Sequence, residues 1–491
     1  MSDKGSSLSF AVYSGGKPVD QLDLASAYLI GSDDVPLRAE FALRGGVIQC
    51  RKRTPGPAGL VVQWDMDGVG QTLAETVRVP ERKNPYILTL ELTRSRLLRI
   101  HQKVEEWGLL EQPEAQPALK KVDAARDLLI KALQADSLAD ASDGGHKALV
   151  QAVAASEELA KVHATLLAQR RRSGGTAKKV FGCGVALDKT ADGYRKALAA
   201  GFDFVSLPVL WRDVEPTEQN FNWKPLDSWV EWLSKNRIPI KGSALVSFTE
   251  ANVPDWLYIW EHDFETIRDL TFEHVKRVIG RYASYITVWD VVDGIHAQST
   301  FTFSFEQLME LSRMATAAAK QVSPKCTSVV NIRGPWGEFY AANQRTIPPT
   351  LYADMILQNG LNFDALGVQF SFGEGAMAAR DMFQISSILD TFGKFGKPLH
   401  LSAVCVPSAS DASGSAGGWR GGWTEESQAV WLREFVTIAL SKPFVDKIAW
   451  QRLCDSDGLA TPSAGLLRAD LTPKPAMKEM AKLKQEYSSG A

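Results

Sequence analysis

The stretch VWDVVDG, residues 288–294, decides how this chain is read. It reads as a barrel strand, and the residue that closes it, where such a strand presents a side chain to the rim, is a glycine. The strand itself falls in ITVWDVV (286–292), with FGCGVAL (181–187), FDFVSLP (202–208) and PIKGSALVSF (239–248) before it. TSVVNI (327–332), ALGVQF (365–370), LHLSAVCV (399–406) and KIAWQRL (447–453) follow it. Helical patterns separate these segments. Several have recognisable starts, such as Ser304 with Gln307 three residues on, the spacing of a capping box. Eight strands alternating with helices over about 300 residues is the count of a (β/α)8 TIM barrel. No glycine-rich fingerprint argues for a dinucleotide-binding sheet, and a doubly wound α/β sheet is the runner-up fold.

Upstream the grammar differs. From Leu8 to about Leu92, short apolar runs (FAVY, AYLI, GVIQC, GLVVQW, YILTLEL) alternate with SGGKP, GSDD, RTPGPAG and ERKNP. That spacing predicts a small antiparallel β-sandwich or barrel over residues 1–92. Between Arg94 and Arg172 the apolar residues recur at three-four spacing, with a break expected at SLADASDGG. A helical hairpin and linker over 93–174 follows from this, ending in the basic run QRRRSGG, which reads as a solvated helix end. The barrel then occupies 175–491.

Bulk properties narrow the function. Lys+Arg 55 against Asp+Glu 57 leaves a net charge of -2, so nothing at whole-chain scale favours nucleic acid or an anionic membrane. The start, MSDKGSSLSFAVYSGG, lacks a basic segment followed by an apolar core, and no later apolar run is long enough to span a bilayer; a cytoplasmic protein is the expectation. Five scattered cysteines (Cys50, Cys183, Cys326, Cys405, Cys454) read as buried reduced thiols. The seven histidines show no metal-ligand spacing, so neither metal nor cofactor is expected.

Six motifs in order give the barrel a resemblance. They are WRDVEPTEQNFNW after the second strand, KGSALV followed by VPDW, HVKRVIGRY leading into VWDVV, LGVQF, KPLHLS, and the ending GLLRADLTPKPA. Together, over residues 180–485, they resemble the family 10 glycoside hydrolases, whose known activity is mainly endo-β-1,4-xylanase. The resemblance implies a retaining mechanism with two carboxyl groups about 5 to 5.5 Å apart, one protonating the leaving oxygen and one attacking the anomeric carbon.

Departures from the family pattern fall on that chemistry. The position of the acid/base glutamate after WDVVN corresponds to Gly294, with Asp293 in place of the asparagine, and the nucleophile of the segment like HITELD corresponds to Ala403. The histidine, tryptophan and second histidine of GHTLVWH correspond to Ser243, Ser247 and Phe248. At strand six the glutamine survives as Gln369, while the histidine two residues on is Ser371. Without nucleophile and acid neither the glycosyl-enzyme nor the protonated leaving group forms, so an inactive relative is expected.

Binding is what such a chain could retain, through aromatic faces stacked on sugar rings. Trp211 and Trp450, in segments where the family keeps tryptophans, are candidate contacts, whereas Trp289, within a strand, reads as core. The loop GSAGGWRGGW (414–423) adds Trp419 and Trp423 beside Arg420, expected to be exposed because glycines supply mobile backbone. The competing reading is an active hydrolase using rearranged acids near the strand ends: Asp188, Glu250, Asp293, Glu374 or Asp455. The expected partners are an oligo- or polysaccharide in the cleft, or a second copy of the chain.

Overall fold

Eight parallel strands close into a barrel in chain order: Phe181–Gly184, Phe204–Pro208, Ile240–Ser243, Ile286–Asp293, Thr327–Ile332, Ala365–Ser371, Leu399–Cys405 and Val445–Trp450. The last pairs with the first, Phe181 opposite Ile448. The computed structural model describes residues 6–172, 179–343, 345–373, 377–410, 417–456 and 461–488. Every strand overlaps the segment predicted for it, because strands covered on both faces carry unbroken apolar runs; Ala365–Ser371 is buried at every position. Helices follow the strands around the outside. One is Phe305–Val322, where Ser304 and Gln307 form the expected capping box.

Two four-stranded sheets precede the barrel. One has the order Tyr86–Ile87, Ser6–Ala11, Val47–Lys52, Ala39–Arg44; the other Pro36–Leu37, Tyr28–Ile30, Gly59–Met66, Gly70–Glu75. Phe10 and Ile48 of the first share a core with Leu60 and Val62 of the second. The first sheet is wet on its outer side, as the alternating burial along Val47–Lys52 records. The second is not: Gly59–Met66 is buried at all but one position, because its other face carries Tyr28, Ile30, Val61 and Leu73 onto Ala378 of the barrel.

The edge of that second sheet is hydrogen-bonded by barrel loops. Leu73 N donates to Ala379 O (3.2 Å), Gly418 N to Gln71 O (2.8 Å) and Arg420 N to Val69 O (2.6 Å). A sheet edge left open is a row of unpaired backbone groups, and here the barrel supplies its partner. Glycine is required for that approach. A Cβ on Gly417 would stand 2.4 Å from Gln71 O, and one on Gly70 would stand 2.6 Å from Gly418 O.

The helical segment differs from the expected hairpin. It holds three helices: α1 (Leu88–Glu106), α2 (Gln116–Leu133) and α3 (Leu138–Arg172). The break between α2 and α3 falls at residues 134–137, at the start of SLADASDGG rather than across it, and the two glycines of that stretch lie inside α3. They serve close packing: a Cβ on Gly144 would meet Ala132 Cβ at 2.8 Å, and one on Gly145 would meet Thr89 Oγ1 at 2.8 Å. Leu97, Ile100, Leu129, Ala148 and Ala152 belong to one continuous core with the barrel. Buried polar ties add direction. Arg96 of α1 pairs with Asp381 (Nη2 to Oδ2, 2.5 Å), and the Trp107 indole donates to Asp390 Oδ2 (2.8 Å), both acids belonging to or capping the barrel helix Met382–Gly393.

Candidate functional site at the barrel mouth

In a (β/α)8 barrel, chemistry belongs at the C-terminal ends of the strands. At the end of strand four stands Gly294, with a left-handed φ of +64°. Arg333, just past strand five, lies against it: a Cβ at 294 would sit 3.2 Å from Arg333 Cβ. Arg333 Nε donates to Gln369 Oε1 (3.2 Å) and Nη1 donates to Gln298 Oε1 (2.8 Å). A guanidinium held by two neutral amides therefore covers the place to which the resemblance assigns a proton donor.

Asp293 is buried beside it. Its Oδ1 accepts from Asn331 Nδ2 (3.0 Å) and from Gln369 Nε2 (2.5 Å), so Gln369 bridges Asp293 and Arg333 with both ends of its amide. Deeper in the barrel, Lys241 Nζ lies 2.8 Å from Asp290 Oδ1 and donates to Ser402 Oγ (2.9 Å). Burial pushes the Asp290 carboxyl above the usual carboxylate range, with Lys241 opposing the shift. A strict two-residue alternation would send Asp290 and Asp293 to opposite faces of strand four. A register shift between Asp290 and Val292 brings both inward to Asn331. The space for Asn331 comes from Gly367 on strand six, where a Cβ would coincide with its side-chain oxygen at 1.6 Å.

The remaining sites of departure are filled by packing. Ala403 lies opposite Gln369 in the register of strands six and seven and carries only a methyl group. Phe248 is buried against Phe301 and Phe303, ring centroids 5.8 and 5.0 Å away. Ser247 and Ser371 are buried, and Ser243 donates to Leu207 O (3.2 Å). His296, in the loop after strand four, has both ring nitrogens without a hydrogen-bond partner among the described residues. Burial, with Arg333 nearby, holds its pKa down to about 3.

The tryptophans expected to face a sugar are interior. Trp211, Trp419, Trp423 and Trp450 are 2, 1, 3 and 0 % exposed. Trp211 stacks on His274 at 4.4 Å and its indole donates to Glu215 Oε2 (3.0 Å). The Trp450 indole donates to Ala464 O (2.9 Å). The Trp419 indole reaches Glu157 Oε1 on α3 (3.1 Å), under the Arg420 guanidinium at 4.1 Å from the ring centroid. The expectation of exposure failed because the loop's glycines allow close backbone approach to the neighbouring sheet rather than mobility. Trp289 is buried, as expected.

The acids proposed for a rearranged pair are scattered in environment. Glu250 and Asp188 are exposed, and Glu374 lies outside the described residues. Asp455 Oδ1 accepts from Lys474 Nζ (2.7 Å) and from Gly465 N (2.9 Å), which fixes the chain ahead of the last helix. Among the described residues no group of three or more His, Cys, Asp or Glu could hold a metal ion. All five cysteines are buried and form no disulfide among the described residues. Sequence reasoning missed Arg333, Gln298, Lys241 and Asp290; the position of Arg333 directly after TSVVNI was the available signal.

Comparison with known proteins agrees with this architecture. The model of glycosyl hydrolase family 10 matches residues 176–483 and leaves the sheets and α1–α3 outside. Endo-1,4-beta-xylanase B of Thermotoga neapolitana is 22% identical over 256 residues, 49% of this chain and 68% of its own length. Endo-1,4-beta-xylanase 5 of Arabidopsis thaliana is 22% identical over 262 residues, 52% of this chain and 42% of its own length. Coverage of such relatives falls as low as 14%, for endo-beta-1,4-xylanase Xyn10C of Cellvibrio japonicus. The structure of native xylanase 10B from Thermotoga maritima superposes with a TM-score of 0.50 at 18% identity, over 66% of this chain and 99% of that one. At that identity the likeness carries the fold alone. With the family model spanning the whole closed barrel, the chain belongs to glycosyl hydrolase family 10.

Proposed function

We propose that this chain is a family 10 barrel that does not hydrolyse glycosidic bonds and whose mouth acts as a structural element. The observation that carries this is Gly294 with Arg333 against it: where an acid would protonate the leaving oxygen there is backbone, and a cation lies over it. Supporting it, Ala403 has no nucleophilic atom, and Asp293 is already committed to two amide hydrogen bonds. A general acid and a nucleophile each supply a large part of the rate enhancement of a retaining glycosidase, and their joint loss is not made good by one buried carboxylate.

The burial of Trp211, Trp419, Trp423 and Trp450 weighs against a sugar-stacking groove at the mouth. It favours a barrel kept as a platform on which the sheets and α1–α3 are docked. Assembly with a second copy through the helices is less favoured, since α1–α3 bury most of their apolar residues within the chain. The described helices include none long and apolar enough to cross a membrane.

The test is release of reducing sugar from xylan and from β-1,4-glucan by the purified full chain. No release above a heat-treated control is the expected outcome. Turnover within a hundredfold of an ordinary xylanase would sink the reading and redirect attention to Asp293.

A further inference from the structure

A cavity of about 470 Å³ lies where the second sheet, α1, the barrel helix Met382–Gly393 and the loops after strands five and six meet. That volume is in the range of small-ligand sites. Its walls combine Tyr28 and Val61 of the sheet, Leu92 of α1, Phe383 of the barrel helix, and Trp336 from the loop after strand five. Such a junction is formed only when all three parts of the chain are in place.

The charged groups of the wall are already neutralised. Glu75 accepts from Arg99 Nε (2.8 Å), and Asp34 sits 3.5 Å from the same guanidinium. Glu106 lies 2.9 Å from Lys103 and 3.4 Å from Lys394. Arg96 is held by Asp381, and Arg380 by Glu338 at 2.5 Å. A charged ligand would meet no unpaired opposite charge here, and would lose its hydration without that compensation.

Neutral hydrogen-bonding capacity and aromatic surface are what remain. Arg380 is buried; its Nη2 is used by Glu338 and Tyr28, while its Nη1 has no hydrogen-bond partner among the described residues. Ser387 Oγ, one turn and a half along the adjacent helix, is likewise buried and without a partner among them. Orphaned buried donors of this kind are costly in a folded chain and are characteristically satisfied by water or ligand oxygens. Trp336 is half-buried: Arg380 covers it at 4.9 Å and Phe370 and Phe372 lie at 5.8 and 6.0 Å, and the surface they leave uncovered faces the cavity.

We infer that this junction cavity is a binding site for a neutral, hydroxyl-rich ring compound of one or two rings, a mono- or disaccharide in chemical class. Ring oxygens and hydroxyls accept from Arg380 Nη1 and exchange hydrogen bonds with Ser387 Oγ, and an apolar ring face lies against Trp336. The cavity is not lined by Asp293, Gln369 or Arg333, so the site is compatible with an inert mouth and equally with an active one.

The experiment is calorimetric and NMR titration of the full chain with glucose, xylobiose and cellobiose, with glucuronate and inorganic phosphate as charged counterparts. Saturable binding of at least one neutral sugar at millimolar concentration is expected, with glucuronate and phosphate at least tenfold weaker. Trp336→Ala and the cavity-filling Ser387→Leu should each weaken binding tenfold or more, while Arg333→Ala at the mouth should leave it within twofold. Two variants on opposite walls guard against a fold defect in either, monitored by circular dichroism. Absence of binding up to 50-fold above the ~1 mM scale on which weak sites operate, preference for the anions, or binding insensitive to both variants would overturn the proposal. Binding lost in Arg333→Ala instead would place the sugar at the mouth and also overturn it.

Discussion

Gly294 shows how one residue can hold two kinds of information. Its φ of +64° lies in the left-handed region that side chains enter at a cost, and Arg333 occupies the volume beyond its Cα. Gly294→Glu should therefore destabilise the fold by about 1–3 kcal/mol, seen as a lowered urea midpoint with unchanged slope. Combined with Ala403→Glu it should still release no sugar from xylan. The two carboxylates would stand without the aligned polar groups that Ser243, Ser247 and Phe248 have replaced, and misplacement alone is enough to suppress turnover. A double variant with measurable hydrolysis would show that the mouth still positions a sugar.

At the level of elements, glycine governs docking. The third helix runs unbroken through Asp143-Gly144-Gly145 because the missing side chains let α2 and the start of α1 come close. Helix propensity alone favours alanine over glycine in such a position by about 1 kcal/mol. Here a Cβ at 145 would stand 2.8 Å from Thr89 Oγ1 and 3.1 Å from the Leu90 backbone nitrogen, atoms that cannot yield without shifting α1. Gly145→Val is expected to cost about 1–3 kcal/mol by overpacking, against a near-neutral result for a solvent-facing control such as Lys131→Ala. Equal denaturation midpoints for the two would refute the packing account. The Gly417–Gly418 strap obeys the same logic on the sheet edge, and this explains why Trp419 is interior.

For the whole molecule, buried histidines set an acid limit. Burial holds His274 and His296 down to about 3 in the folded chain, from an ordinary value of 6.5, and His400 lies well below it too. Because the folded pKa is the lower one, these groups add stability that is complete above pH 6.5. It is lost as pH falls toward 3, when the unfolded chain takes up protons that the folded chain refuses. Each such histidine costs on the order of 1.4 kcal/mol per pH unit in that window. Thermal unfolding followed from pH 8 to pH 4 should show a melting temperature flat above about 7 and falling steeply below 6.5. His296→Phe should flatten part of that fall. A melting temperature independent of pH down to 4 would contradict the buried neutral state.

The amino-acid order alone put the barrel ahead of a doubly wound sheet, since eight apolar runs alternate with helical patterns, and it determined the absence of carboxylates at Gly294 and Ala403 because identity at a position needs no coordinates. It also separated a β-rich start from a helical middle through the change of period from two to three-four. Tertiary structure decided the rest. Whether Trp419 faces water, whether Gly144 breaks a helix, and which cation lies over strand four depend on residues distant in the chain: Glu157, Ala132 and Arg333 respectively. Glycine in particular is ambiguous in one dimension, because the same missing Cβ permits a flexible loop or a close contact. Only the partner that comes within 3 Å settles which, and that partner is chosen by the fold.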